Sequence, residues 1–283
     1  MASTRMASVG MVSLGAVSLG TIGMVWQREL LRYVRTPSRI LTGLAQPLLF
    51  LFVLGYGMGS LVGSTGGLDF RKFVFPGIVA MSVVSTSIFS AISIVWDREF
   101  GFLREMLVAP VPRWALVAGK TAGGATVATG QGTIMLVLAP LVGVDLTVLT
   151  VAAVIAIEFV MAAALTAFGV FVASRITRME GFQMVMQLVL LPMIFLSGAL
   201  FPLAGLPLWL DILTRLNPLT YAVAPLRSVV FGAQNLPAAA LARFPSDVTL
   251  FGWTLSIWTE LAITVVFAAV FLALAVRGFG RRL

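Results

Sequence analysis

The sequence predicts an all-α integral membrane protein, and both its composition and its long apolar runs indicate this fold class. Of 283 residues, 59% are hydrophobic and 11% charged, with a mean hydropathy of +1.04. Soluble domains carry about 25% charged residues, so this chain lacks the polar surface that water requires. No internal repeat or low-complexity linker divides the sequence, and we therefore expect a single membrane domain.

Six apolar runs are long enough to cross a hydrocarbon core of roughly 30 Å as helices. They lie near residues 40–62, 75–95, 117–142, 149–173, 184–203 and 253–276. If the N-terminus is cytoplasmic, the only basic residues on the outer side are Arg71, Lys72, Arg215, Arg227 and Arg243. Because Lys and Arg concentrate in cytoplasmic loops, we expect both termini in the cytoplasm of a bacterium and a multi-pass inner-membrane location.

A basic amphipathic helix is predicted at residues 24–36, before the first span. Helical spacing places Arg28, Arg32 and Arg35 on one side and Trp26 with the aliphatic residues on the other. This arrangement suits a helix that lies in the headgroup layer. A simple topology anchor is the alternative, although it explains the charges and not their periodicity.

The amphipathic helix separates an N-terminal tail from the membrane domain. Residues 1–23 are small and weakly apolar, and we expect them to form a flexible tail. Pro37 ends the amphipathic helix, so the six-span domain is predicted to occupy residues 37–283.

The loop between spans 2 and 3 holds a short amphipathic helix. Gly101 permits a turn and Pro110 ends the helix about two turns later. Its apolar side and polar edge comprise Phe102, Leu103, Arg104, Glu105, Met106 and Leu107. A helix this short is unstable alone in water. It must pack on the protein's own surface or in a groove of another subunit.

Two segments resemble the ATP-binding-cassette (ABC) type 2 permeases, the family of daunorubicin-type drug exporters and of nodulation-type and capsule-type glycan exporters. The first reads DREFGFLREMLVAPVPR, at residues 97–113, and is followed by Gly119 and Lys120. The second reads FLSGALFPLAGLPLWLDILTRLNPLTYAVAPLR, at residues 195–227, and resembles the family's LSG-x-x-x-P turn and N-P-L-T-Y element. The resemblance implies that the helix at 102–107 is a cytoplasmic coupling helix that docks on a nucleotide-binding subunit. It also implies short re-entrant extracellular helices between spans 5 and 6.

The resemblance implies a permease subunit of an ATP-driven exporter that moves hydrophobic or amphipathic, drug-like compounds outward. The chain has no G-x-x-x-x-G-K-[ST] phosphate loop, so ATP and Mg would be bound by separate ABC ATPase subunits and this chain would be no enzyme. We expect no cofactor, metal or nucleic acid. The expected partners are the ATPase, membrane lipid and a second permease copy, identical or paralogous. Alternatives are the same fold exporting a lipid or lipid-linked glycan, and a proton-coupled secondary transporter.

In similar exporters the first and fifth spans line the substrate route at a two-fold axis between permeases. The corresponding residues here are Gln46, Phe50, Phe52, Tyr56, Gln187, Met193, Phe195 and Leu196. Ordinary helix packing is an equally good explanation for each of them.

Glu158 and Glu260 lie inside predicted spans. A charge at a helix centre costs about 2.5–3.5 kcal/mol in a membrane. Each carboxyl is therefore either a proton or cation site, or a protonated or hydrogen-bonded group that bridges helices, with Gln131, Thr133 or Thr166 as candidate partners. The chain contains no His or Cys, so we expect no catalytic residue and no metal site.

Overall fold

The computed structural model describes residues 2–58, 69–100, 111–203, 205–234, 248–250 and 253–280. Within them the regular secondary structure is helical apart from one short antiparallel hairpin, which confirms the all-α class. The hairpin pairs β1 (Thr249–Leu250) with β2 (Trp253–Thr254), and Leu250 lies opposite Trp253.

The α-helices are numbered here in chain order. In order they are α1 (Ala2–Val34), α2 (Pro37–Phe52), α3 (Phe70–Ser90), α4 (Ile92–Glu99), α5 (Arg113–Leu136), α6 (Val148–Ala173), α7 (Met179–Leu196), α8 (Leu208–Leu216), α9 (Thr220–Gly232) and α10 (Ile257–Gly280). A π-helical turn, Val53–Met58, extends α2, and a 3₁₀ turn, Ala139–Val142, follows α5.

Helix α1 differs from the predicted flexible tail and short amphipathic helix. It is one continuous helix from Ala2 to Val34. No proline interrupts the chain before Pro37, which occupies the first position of α2, so nothing in this stretch ends the helix earlier. The predicted break before the first span is present, because α1 ends at Val34.

Five helices in the described part of the chain are long and apolar enough to cross a membrane. They are Pro37–Gly57, Phe70–Glu99, Val148–Ala173, Met179–Leu196 and Ile257–Phe279. The predicted third span corresponds to α5, which is 24 residues long but too rich in Gly, Thr and other polar residues to join that group. Helix α5 packs against α1, α3, α6 and α10. Its small residues permit close helix contacts on several sides.

Several predicted span boundaries are displaced by turns. The fifth span was expected to reach residue 203, but α7 ends at Leu196 and Gly198 adopts φ 75°, a conformation that favours glycine. The sixth was expected from residue 253, but Trp253 belongs to β2 and α10 begins at Ile257.

The protein core is centred on α3. Its side chains Phe73, Phe75 and Ile78 are fully buried. Gly77 allows the turn after α7 to approach, since a Cβ at this position would overlap the carbonyl oxygen of Ala199. Helix α3 therefore holds α5, α6 and the end of α7 in fixed positions.

Candidate coupling site and membrane cavity

Arg98, Glu99 and Arg113, which flank residues 101–110, lie at one end of the helix bundle. The end of α6, the start of α7 and the end of α10 lie at the same end. We call it the α1 end, because the C-terminal half of α1 also packs there. The predicted coupling residues Phe102, Leu103, Arg104, Glu105, Met106 and Leu107 lie outside the described residues. The residues on either side of them are described, and their hydrogen bonds follow.

Both flanks of residues 101–110 are hydrogen-bonded to neighbouring helix ends. Arg98 donates to the carbonyl oxygens of Ser174 (3.1 Å) and Ile176 (3.2 Å), beyond the end of α6. The carboxylate of Glu99 accepts from the backbone N–H of Met179 at the start of α7, at 3.1 Å. Helix ends leave carbonyl and N–H groups without intrahelical partners, and Arg98 and Glu99 satisfy several of them.

On the other flank, Arg113 donates to the carbonyl oxygen of Phe279, near the end of α10, at 3.3 Å. The two sides of the segment are thus joined to different helices. A displacement of residues 101–110 would act on the α6–α7 turn and on α10 together.

A buried ionic cluster joins α1, α4 and α5 at the same end of the bundle. The Nζ atom of Lys120 donates to Glu29 Oε1 at 2.7 Å, to Ser93 Oγ at 2.8 Å and to Asp97 Oδ2 at 3.3 Å. Asp97 also binds Arg28 Nη2 at 3.0 Å. The side chains of Lys120 and Glu29 are each 7% exposed, and all three ammonium donors have acceptors.

This group of Arg28, Glu29, Ser93, Asp97 and Lys120, here termed the Lys120 cluster, was not predicted from the sequence. The sequence places Arg28 on the basic side of a helix in the headgroup layer, and it singles out Lys120 only as part of the first family motif. The available signal was Asp97 and Lys120 at either end of the family motif. Their shared partner Glu29 lies on a helix distant in sequence, so spacing alone could not reveal it.

Close packing of α1 on α5 makes the cluster possible. A Cβ at Gly119 would lie 2.9 Å from Val25 Cβ, and one at Gly123 would lie 2.8 Å from Glu29 Cβ. Trp26 adds a hydrogen bond from Nε1 to Thr126 Oγ1, at 3.0 Å. Small residues thus bring the two backbones together.

The predicted interfacial-helix residues therefore divide into two groups. Trp26 and Arg28 make contacts with α5 and α4, whereas Arg32 and Arg35 are exposed.

A cavity of about 620 Å³ lies between α2, α3 and α7, beside the end of α1. Its polar lining residues are Tyr33, Arg39, Thr42, Gln46, Ser85, Thr86 and Gln187. Phe89 and leucines of α7, including Leu188 and Leu191, provide an apolar wall. Such a cavity can accept a molecule that carries both hydrogen-bonding and apolar groups.

Two prolines add acceptors to this lining. Pro47 and Pro192 lie inside α2 and α7 and contact the cavity. A proline has no N–H, so the carbonyl four residues earlier loses its usual helical donor. Those carbonyls belong to Gly43 and Leu188, which line the same cavity.

The structure places the predicted route residues in different environments. Gln46 and Gln187 line the cavity, whereas the other six residues do not. Phe52 stacks on Tyr56 with ring centroids 6.0 Å apart, and Arg71 lies over the Tyr56 ring. Phe50 and Met193 pack against the core, and Phe195 is exposed. Leu196 contributes a carbonyl acceptor to Thr220.

At the opposite end of the bundle, the second motif ties the short helices to the end of α7. Asn217 donates from Nδ2 to the Met193 carbonyl at 2.7 Å and accepts from the Leu219 N–H at 3.1 Å. Thr220 donates to the carbonyl of Leu196 at 3.2 Å. Helices α8 and α9 contain 9 and 13 residues, too few to cross a bilayer, which takes about 20.

Arg227 of the same motif is buried and holds the turn after α7. It donates to the carbonyl oxygens of Gly198 and Ala199. Its guanidinium also lies over the ring of Phe73, 4.4 Å from the centroid. These contacts join α9 to the core helix α3.

The two intramembrane glutamates have different surroundings. Glu158 is fully buried against Gly132, and neither carboxyl oxygen has a hydrogen-bond partner among the described residues. The suggested partners are engaged elsewhere, since Gln131 binds Tyr33, Thr133 binds the Thr129 carbonyl and Thr166 binds the Ser87 carbonyl. This environment suits a protonated carboxyl, because an uncompensated charge would be very unfavourable there.

Glu260, in the first turn of α10, accepts from the backbone N–H of Val248 at 3.3 Å. It thereby attaches the residue that precedes the β-hairpin to the membrane helix. Glu158 and Glu260 both lie outside the cavity lining.

Comparison with known proteins gives consistent matches. The family model for the ABC-2 type transporter matches residues 21–231. Nodulation protein J of Rhizobium leguminosarum bv. trifolii is 32% identical over 213 residues, 74% of this chain and 80% of that protein. Inner membrane transport permease YadH of Escherichia coli K12 is 26% identical over 229 residues, covering 75% and 84%. Putative transport permease ycf38 of Cyanophora paradoxa is 28% identical over 205 residues, covering 71% of each.

Proposed function

Because this chain belongs to the ABC-2 type transporter family, we propose that it is the permease subunit of an ATP-driven exporter of amphipathic compounds. The observation that carries this proposal is the hydrogen bonding of Arg98, Glu99 and Arg113, which flank residues 101–110, to the ends of α6, α7 and α10. A segment attached in this way can transmit movement of a docked subunit into the membrane helices. The relatives are transport permeases rather than enzymes, in agreement with a non-catalytic subunit.

The proposed topology has six spans, with α5 as the third. Helix α5 is long enough to cross and is largely surrounded by protein, so it needs less apolar surface than a lipid-facing helix. The α1 end, with both termini, would face the cytoplasm of a bacterial cell. Helices α8 and α9 would be the re-entrant extracellular helices.

In the proposed mechanism, a separate ABC ATPase binds ATP and Mg and docks on residues 102–107. When it closes, Arg98 and Glu99 would carry the displacement to the α6–α7 turn. The Lys120 cluster would carry the same displacement to α1, because Asp97 and Glu29 share the Lys120 ammonium.

The cavity supports an amphipathic, drug-like cargo, because one wall forms hydrogen bonds and the other is apolar. Its polar side chains also favour the second candidate, a lipid or lipid-linked glycan, whose hydroxyl groups need such partners. For a proton-coupled secondary transporter the structure offers less support, since Glu158 and Glu260 lie outside the cavity.

A second permease copy would complete the route. The outer surfaces of α2 and α7 carry exposed apolar side chains, among them Leu41, Leu49 and Met184. Such surfaces suit either lipid or a second copy. We propose a dimer of permeases, identical or paralogous, with two ATPase subunits.

The test is co-expression with a candidate ABC ATPase subunit from the same organism. Reversal of charge at Arg104 or Glu105 should abolish ATP-dependent transport of the compound into inside-out vesicles, and scrambling residues 102–107 should abolish copurification. The matched control is Lys72→Glu, which reverses a charge at the opposite end of the bundle and should leave both unchanged. Normal ATPase binding by the scrambled variant would contradict the coupling assignment.

A further inference from the structure

Arg39 places a positive charge on the cavity wall. It lies in the first turn of α2 and lines the cavity, and it is only partly buried. Its Nη2 atom donates to the carbonyl oxygen of Phe89 at 3.3 Å. A guanidinium has five N–H donors, so one such bond leaves most of them directed elsewhere.

The described part of the chain supplies no carboxylate that forms an ion pair with Arg39. The charge of Glu29 also acts on Arg39, but its carboxylate is bound by Lys120 at 2.7 Å. Cations in membrane-spanning helices are normally paired, or else they face a route or a ligand. Arg39 faces the cavity.

The polar groups deeper in the cavity are neutral. Along α2, Gln46 lies roughly 10 Å beyond Arg39 at the helical rise per residue. Thr42 lies between them, and Gln187 contributes a second amide from α7. The lining therefore changes from a cation near α1 to neutral hydrogen-bonding groups, with the leucines of α7 along one side.

We propose that the cavity binds an amphiphile whose anionic group, a phosphate or carboxylate, is held by Arg39. Neutral polar groups of the ligand lie against Thr42, Gln46 and Gln187, and its apolar part lies along Leu188 and Leu191. An uncharged ligand would leave the Arg39 donors unsatisfied. This inference rests on the proposed function, since it specifies the cargo chemistry of the same cavity.

The test measures binding to the purified full-length permease in nanodiscs of neutral phosphatidylcholine. Two fluorescent dodecyl amphiphiles share one tail and end in either a phosphate monoester or a hydroxyl group. We expect the phosphate probe to bind roughly tenfold more tightly or better, as one charge-assisted hydrogen bond provides. Arg39→Gln should remove this preference, so that the two probes bind with similar affinity.

Two variants serve as controls. Arg39→Lys keeps the charge and should retain most of the preference. Arg178→Gln removes an exposed charge at the same end of the bundle, outside the cavity lining, and should retain all of it. Equal affinities of the unmodified protein for both probes would overturn the proposal, and this result requires no variant to fold. Loss of the preference in Arg178→Gln would also overturn it, because the effect would then be general surface charge.

Inorganic phosphate distinguishes an amphiphile site from a phosphate site. Unlabelled dodecyl phosphate should displace the probe at a concentration at least roughly a hundredfold lower than inorganic phosphate, because its tail is also buried. Equal competition would contradict an amphiphile site. The binding assay uses no ATPase. A permease that prefers the anionic probe but binds no ATPase would contradict the proposed function alone.

Discussion

Replacing Lys120 by methionine should destabilise the protein strongly, because it removes the shared cation of a buried cluster. The substitution keeps most of the side-chain length but leaves the Glu29 carboxylate, which is 7% exposed, without its 2.7 Å partner. Breaking a buried pair by removing one member costs about 3–5 kcal/mol. We expect a value of about 3 kcal/mol, at the low end of this range, because Asp97 keeps Arg28 at 3.0 Å.

The measurement is the free energy of unfolding in mixed micelles, obtained by titration with a denaturing detergent. Lys72→Met is the matched control, since Lys72 is partly buried and forms no ion pair with any described residue. Its loss should change stability by less than about 1 kcal/mol.

A double variant, Glu29→Leu with Lys120→Met, separates charge from packing. Removal of both charges should recover stability to within about 1 kcal/mol, because buried ion pairs are often replaceable by apolar side chains of similar size. If Lys120→Met is no less stable than Lys72→Met, or if the double variant recovers nothing, the cluster does not hold α1 against α5 electrostatically.

Three further outcomes are expected from stability measurements in the same micelles. Glu158→Gln should change stability by less than about 1 kcal/mol, since a buried neutral carboxyl and an amide are similar, whereas a loss of several kcal/mol would indicate a bound proton donor or cation. Gly77→Ala should lower it by about 1–3 kcal/mol, because the methyl group meets the Ala199 carbonyl, and wild-type stability would refute this close contact. Asn217→Ala should lower it by about 1–3 kcal/mol by leaving the Met193 carbonyl unsatisfied, and wild-type stability would argue against this role.

The membrane spans, the helix break at Pro37 and the family were predictable from the sequence. Apolar runs predicted six spans, because lipid requires about 20 apolar residues per span. Five of them correspond to helices in the described residues that are long and apolar enough to cross a membrane, although turns such as that at Gly198 shifted their ends. Pro37 predicted the break between α1 and α2, since proline cannot continue a helix. The two motifs predicted the family, which the matches over residues 21–231 confirm.

The candidate site was less accessible to sequence reasoning. The family resemblance indicated α2 and α7 as the route, and it named Gln46 and Gln187 together with six larger residues that do not line the cavity. It did not indicate Arg39 or the hydroxyl groups of α3, which line the same cavity. Which helix faces meet depends on packing between segments more than a hundred residues apart. Hydrophobic periodicity carries no information about that choice.

The sequence by itself determined that this protein lies in a membrane and where most of its helices lie along the chain. Apolar runs and prolines are sufficient for this, because each affects only the residues around it. Only the tertiary structure decided that Lys120 binds both Glu29 and Asp97, that Glu158 has no partner among the described residues, and that Arg39 faces a cavity. These outcomes depend on how polar groups on different helices meet once the small residues of α5 allow close packing. A membrane protein can leave few of its polar side chains without partners. The contacts that these side chains make therefore indicate candidate functional residues, whereas the apolar pattern indicates only the helices.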